Sequence, residues 1–152
     1  MLLSEKNYYE DIDEGYVYDT PAITIGEHHV LTFAGLTGDF TQVHVDEEFA
    51  KDMGFKGRLA HGLLGLSLID ALKNRCLVSY HVVAALNWSW KFGGPLYIGD
   101  QLKAQLTVSG KRLTSRGNRG IITLDIRATN QNGEVVQEGT NQIMVLCRPT
   151  AE

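Results

Sequence analysis

Cysteine is scarce: the 152 residues hold only Cys76 and Cys147, far apart, without C-x-x-C spacing and without a histidine at metal-ligand spacing. Neither a disulfide framework nor a zinc site is indicated, so both are expected as buried thiols. A long hydrophobic run is also missing. The longest apolar stretch, Gly62 to Leu72, is shorter than a membrane span and contains Asp70. The N-terminus, MLLSEKNYYEDIDE, is acidic where a signal peptide would be basic, and a cytoplasmic chain is expected, with no membrane partner. Nor is there an excess of positive charge. Fourteen Lys and Arg stand against eighteen Asp and Glu, a net charge of −4, which argues against binding a nucleic-acid backbone.

What is present is an ordinary soluble balance, 43% hydrophobic and 21% charged, which excludes low-complexity disorder and collagen. At this length one domain is the default, and roughly 68–70% of the chain surface is buried on folding. Without a repeat or a linker, residues 1–152 read as a single unit.

The tract from Asn7 to Asp19 mixes Tyr8, Tyr9, Tyr16 and Tyr18 with acids and is expected to lie partly extended over the surface. Thr24 and Glu27 have the spacing of a capping box, and Val30, Phe33, Ala34 and Thr37 follow at helical spacing. A helix from Glu27 to Leu36 is expected, stopped by Gly38. A second helix should start with Asp46 as N-cap, carry acidic Glu47 and Glu48 in its first turn, and end at Gly54. From Leu63 to Asn74 apolar residues occupy every side, so this third helix needs to be enclosed by protein.

The enclosing layer is legible downstream. Tyr80, Val82, Ala84, Leu86, Trp88, Trp90 and Phe92 fall on every second position, and Leu102, Ala104, Leu106 and Val108 repeat the period. Ile122, Leu124, Ile126 and Ala128 form a third such run, and Asn132-Gly133 is a hairpin turn into a fourth, Val135 to Cys147. The fold class is therefore α+β: an antiparallel sheet of four or five long strands curled around one central helix. Its long edge would pair with a second copy, giving at least a homodimer.

The densest polar segment runs from Thr37 to Asp46 and contains Asp39 and His44. In a continuous helix these two would sit about 140° apart, so they converge only if Gly38 breaks the helix. A carboxylate and an imidazole brought together can hold one water and move its protons. By themselves the two residues read more readily as a turn cap and a satisfied core histidine. The second segment, Ala60-His61-Gly62 through Ser67, opens the third helix with no Ser, Thr, Asp or Asn at the N-cap position. Its free N–H groups could bind an oxyanion, with Gly62 allowing a ligand carbonyl close to the backbone, or could be capped by water.

These segments resemble the MaoC-like hydratases and dehydratases, the (R)-specific enoyl-CoA hydratases with a hot-dog fold. The likeness rests on Phe33, on Leu36 through His44 with Thr37-Gly38-Asp39, and on Ala50 six positions after His44. It extends to Ala60-His61-Gly62 through Ser67 and to Phe92-Gly93-Gly94-Pro95-Leu96-Tyr97-Ile98-Gly99-Asp100. Thr41-Gln42 stands where that family usually has Asn-Pro. The resemblance implies reversible syn addition of water to a trans-2-enoyl thioester, giving the (R)-3-hydroxyacyl thioester without metal or organic cofactor. Asp39 and His44 would hold and activate the water, the Gly62 N–H would polarise the thioester carbonyl, Ser67 would be a further polar contact, and His61 would be structural.

A coenzyme A or acyl-carrier-protein substrate needs local cations, for which Lys51, Lys56 and Arg58 are the candidates; Lys111, Arg112, Arg116 and Arg119 read as a solvated hairpin end. His28, His29 and His81 read as surface or strand-face residues. Two other readings stay open: a hot-dog acyl-thioester hydrolase, for which Asp70 is the acid on the central helix, and a non-catalytic acyl-thioester-binding protein.

Overall fold

A computed structural model describes residues 5–149; Met1 to Ser4, where the acidic N-terminal tract begins, lie outside the described residues. Four long strands make the sheet: β3 (Val82–Phe92), β4 (Gln101–Leu113), β5 (Arg119–Thr129) and β6 (Val135–Leu146). Two short ones, β1 (Val17–Asp19) and β2 (Ile23–Thr24), both pair with β4. The order is β1-β4-β5-β6-β3, antiparallel throughout. Consecutive hairpins account for β4-β5-β6: Gly117 and Gly133 take positive φ in the two turns, and Asn130 Oδ1 accepts from the N–H groups of Asn132 and Glu134.

The period of two is kept where strands are flanked on both sides. Leu102, Ala104, Leu106 and Val108 of β4 and Ile122, Leu124, Ile126 and Ala128 of β5 are all buried. Edge strand β3 departs from it. Its register against β6 slips between Val82 and Ala84 and again between Ala85 and Asn87, so Val83 and Leu86 are bulged out, and both are exposed. None of the described helices is long and apolar enough to cross a membrane.

Helix α4 (Gly62–Lys73) packs on the sheet through Leu64, Gly65, Ile69, Leu72 and Lys73, while Leu63 is 59% exposed on its other side. The enclosure expected from its sequence is thus met on the sheet side. The buried Lys73 ammonium is satisfied by the Asp70 carboxylate and by Asn141 Oδ1, each at 2.8 Å, and lies 5.2 Å from the ring centroid of Trp88. Three short helices precede it: α1 (Glu27–Thr37), α2 (Gln42–Val45) and α3 (Glu47–Asp52). Asp46 caps α3 as expected, its Oδ1 accepting from Phe49 N–H at 3.0 Å.

Four expectations are corrected. Thr24 does not cap α1, because it pairs with Gln101 in β2; Gly26 is the N-cap, and its N–H donates to Nδ1 of His29 at 2.9 Å. The N-terminal tract is docked rather than draped: Ile12 and Tyr18 are core residues, and Tyr9–Asp11 form a 3-10 turn. The Tyr9 ring lies where a Cβ on Gly120 would stand, 1.9 Å away. Lys111, read as part of a solvated hairpin end, instead donates to the carbonyls of Tyr9 and Ile12 at 3.0 and 2.6 Å, with its ammonium 4.3 Å from the Tyr9 ring centroid. Both cysteines are half-buried rather than buried, and desolvation pushes each thiol above its ordinary pKa.

Candidate active site

Helix α1 ends because Gly38 adopts φ 78°, a left-handed conformation open to glycine, and its N–H closes the helix on the Ala34 carbonyl at 2.8 Å. The chain therefore leaves α1 at Asp39 and re-enters helix at Gln42. Thr41 makes this turn rigid: its hydroxyl and its N–H both donate to Asp39 Oδ1, at 2.6 and 3.2 Å. Thr41 is also the N-cap residue of α2, which leaves Gln42 at the first helical position. That is a position proline favours, so Gln42 keeps the local path that a proline would take. The hydroxyl of Thr41 is the first cause that holds the Asp39 carboxyl below the usual carboxylate range; its N–H, His61 and His44 act in the same direction. Asp39 is thus an exposed carboxylate with one oxygen, Oδ1, already engaged.

His44 is oriented by Leu59. Its Nδ1 lies 2.8 Å from the Leu59 carbonyl, an acceptor only, so Nδ1 carries the proton and Nε2 presents a lone pair in the neutral ring. Leu59 N–H donates in turn to the Val43 carbonyl at 3.0 Å. The next residues are held from the other side, where Ala60 N–H donates to Leu96 carbonyl at 2.7 Å and Leu59 bridges to Tyr97. In this way the Phe92 to Asp100 segment fixes the entry to α4.

His61, 2% exposed, ties these parts together. Its Nε2 donates to the backbone carbonyl of Asp39 at 2.9 Å, its ring stacks on that of His44 with centroids 3.9 Å apart and planes 28° apart, and Phe33 packs against it at 4.9 Å. Its Nδ1 is buried without a hydrogen-bond partner among the described residues. One polar atom from each of Asp39, His44 and His61 falls within 4.8 Å of the other two, so the residues that a straight helix would separate do converge.

The first turn of α4 completes the arrangement. His61 is its N-cap residue without a side-chain cap, and the first intrahelical bond runs from Gly65 N–H to the His61 carbonyl at 3.1 Å. The N–H groups of Gly62, Leu63 and Leu64 precede that bond and form the positive end of the helix. A Cβ on residue 62 would stand 2.8 Å from the ring of Phe92, so any side chain here would have to displace that ring. Asp39, His44, Gly62, Leu63, Phe92 and Gln137 are among the residues that line one cavity of about 360 Å³.

The other expected contacts fall elsewhere. Ser67 is exposed, lies outside this cavity, and donates its hydroxyl to the Leu63 carbonyl at 2.8 Å, the ordinary back-bond of a helical serine. Lys51 pairs with Glu47 and Glu48, both at 3.4 Å. Arg58 is clamped by Glu27 and approaches Glu47 at 3.7 Å, which neutralises it. Lys56 alone of the three has no ion pair among the described residues; it lines a larger cavity of about 690 Å³ that shares Gly94 and Pro95 with the first. Gln137 was not singled out by sequence reasoning. Its signal, a glutamine buried in β6, is visible only once the face of that strand is known.

Comparison with known proteins places this geometry. The family model of the MaoC like domain matches residues 11–130. The (R)-specific enoyl-CoA hydratase of Rhodospirillum rubrum is 36% identical over 142 residues, 93% of this chain and 94% of that protein. The (R)-specific enoyl-CoA hydratase of Aeromonas caviae is 31% identical over 114 residues, 75% of this chain and 81% of that protein. Among solved structures, the MaoC-like dehydratase from Rhodospirillum rubrum superposes with a TM-score of 0.84 at 26% identity, covering 95% of this chain and 99% of that one. Strands β1 to β5, the central helix and the Asp39-His44 segment fall within residues 11–130, and the chain belongs to the MaoC-like domain family, with a hot-dog fold.

Proposed function

We propose that the protein is a hydro-lyase that adds water reversibly to trans-2-enoyl thioesters, giving (R)-3-hydroxyacyl thioesters. The observation that carries this is the convergence of the Asp39 carboxylate and the His44 ring on one cavity that also holds the open first turn of α4. A water between them gives one proton to the carboxylate and one hydrogen bond to His44 Nε2. As its oxygen bonds to C3, the C2–C3 π electrons move toward the thioester carbonyl, and the negative oxygen is met by the Gly62 N–H and the helix end. Return of the proton to C2 on the same face completes a syn addition. No step requires a metal or an organic cofactor.

Asp70 argues against thioester hydrolysis, because its carboxylate is bound to Lys73 and it does not line the cavity. For the substrate's phosphate groups, Lys56 is the best contact, since Lys51 and Arg58 are already paired. The protein is further proposed to work in the cytoplasm as a homodimer. Edge strand β3, with Val82, Val83 and Leu86 exposed along it, offers the apolar edge for a second copy. Sedimentation at micromolar concentration should give twice the chain mass; a fully active monomer would refute the dimer.

The reaction is tested with a panel of 2-enoyl-CoA thioesters of different chain lengths, followed by loss of the conjugated enoyl chromophore. Chromophore loss with no thiol released supports hydration, whereas an inert protein that is still stabilised by these ligands would be a binding module.

A further inference from the structure

Gln137 of β6 is a buried amide, 2% exposed, and both ends of it are engaged. Its Nε2 donates to the carbonyl of Gly62 at 3.0 Å, and its Oε1 accepts from the indole Nε1 of Trp90 at 3.0 Å. A buried amide with geometry fixed at both ends is a rigid strut. Glycines on either side make the space for it. A Cβ on Gly65 of α4 would stand 2.4 Å from Gln137 Nε2, and a Cβ on Gly139, opposite Trp90 in the strand register, would meet the Ser89 carbonyl at 2.0 Å and the Trp90 ring at 2.7 Å. Thus Gly139 admits Trp90, Trp90 orients Gln137, and Gly65 lets the amide lie across the helix to reach its first residue.

The carbonyl of Gly62 belongs to the same peptide plane as the N–H of Leu63. A donor on that oxygen fixes the plane and polarises the N–H at its other end. The N–H groups of Gly62 and Leu63 come before the first intrahelical bond, and both residues line the cavity with Asp39 and His44. From this geometry we infer that Gln137 is a positioning residue for the carbonyl-polarising turn of α4, holding its N–H groups in register with the water site. The inference rests on the hydratase reading above. It places the control of that turn in β6, outside the segments that hold Asp39, His44 and Gly62.

Three variants test it. Gln137→Met keeps the side-chain length and removes both hydrogen bonds; kcat should fall tenfold or more, with KM within about threefold, because misplacing a polarising group by about 1 Å can cost 10²-fold. Gln137→Glu cannot donate to the Gly62 carbonyl when ionised but can when protonated. Its activity relative to wild type should therefore rise as the pH falls, while the ratio for Gln137→Met stays flat. Gly65→Ala acts from the other side, driving a methyl group into the Gln137 amide while favouring the helix, so kcat should fall with the unfolding midpoint retained. If Gln137→Met fails to fold, Gly65→Ala and Gln137→Glu decide the matter. Wild-type kcat in Gly65→Ala, or a pH ratio for Gln137→Glu that is flat, would overturn the role. The amide resonances of Gly62 and Leu63 should shift in both Gln137→Met and Gly65→Ala whether or not the wild type turns over an enoyl thioester. An inactive wild type with those shifts present would discard the hydratase reading alone, and unshifted resonances would discard the strut.

Discussion

The hydroxyl of Thr41 donates to Oδ1 of Asp39 at 2.6 Å, and this single bond is the largest influence holding the Asp39 carboxyl below its ordinary range. The sign of its effect on activity follows. A carboxylate with a lowered pKa stays ionised, and able to take a proton from water, further into acid. Thr41→Val removes the hydroxyl donor and keeps the shape, so the acid limb of the kcat/KM profile should move to higher pH. The neutral plateau should change little. An unmoved acid limb would mean that a group other than Asp39 sets it.

Asp39→Asn and His44→Gln should each lower turnover by about two orders of magnitude or more, the scale for losing a positioned acid or base. The proposed mechanism has both residues act on one water, so the double variant should be scarcely worse than the worse single one. Thermal unfolding should hardly change for Asp39→Asn, whose side chain is exposed. Multiplicative losses in the double variant would show that the two residues serve separate steps.

Much of this architecture is legible in the sequence, and the reason is physical. Burial on one face imposes a period of two, so β4 and β5 were evident from Leu102 to Val108 and from Ile122 to Ala128. The break at Gly38 followed from glycine's freedom at positive φ, and with it the meeting of Asp39 and His44. What stayed hidden depends on partners remote in sequence. Thr24 has good capping chemistry, yet its strand pairing with Gln101 took precedence and left the cap of α1 to Gly26 and His29. Arg58 looks free in the sequence because Glu27, 31 residues away, reaches it only in the folded chain, whereas the pairing of Lys51 with Glu47 and Glu48 is local to α3 and could have been read from their spacing. The Gln137 tie to Gly62 spans 75 residues and has no local pattern at all.

Those ion pairs lead to a prediction about the substrate's phosphates. Lys56→Ala should raise KM for a coenzyme A thioester about two- to fivefold, the range for one exposed charge contact. KM for a short thioester without the nucleotide should stay the same. Arg58→Ala should alter KM less than Lys56→Ala does, since Glu27 already neutralises the guanidinium. The reverse ranking would return Arg58 to the phosphate site.

The cap of α1 predicts a pH-dependent stability. Burial first, and then the neighbouring His28, holds the His29 imidazole below its ordinary value of about 6.5, as the cap requires an unprotonated Nδ1 to accept from Gly26. Below about pH 6.5 the unfolded chain therefore takes up a proton that the folded one refuses. The contribution is whole above that pH and is lost as the pH falls toward the folded pKa. His29→Leu should cost about 1 kcal/mol at pH 7.5, the usual worth of a helix cap, and the gap to wild type should narrow in acid. A gap that is constant from pH 7.5 to pH 5.5 would leave His29 without this role.

The central claim is that water held by Asp39 and His44 attacks C3 while the thioester survives. Incubation of the protein with crotonyl-CoA or a longer 2-enoyl homologue in heavy-oxygen water tests it most directly. The account predicts one labelled oxygen on C3 of an (R)-3-hydroxyacyl thioester, with no free coenzyme A detected by a thiol reagent. Label in a carboxylate with free coenzyme A released in step, or an (S) product, would contradict it.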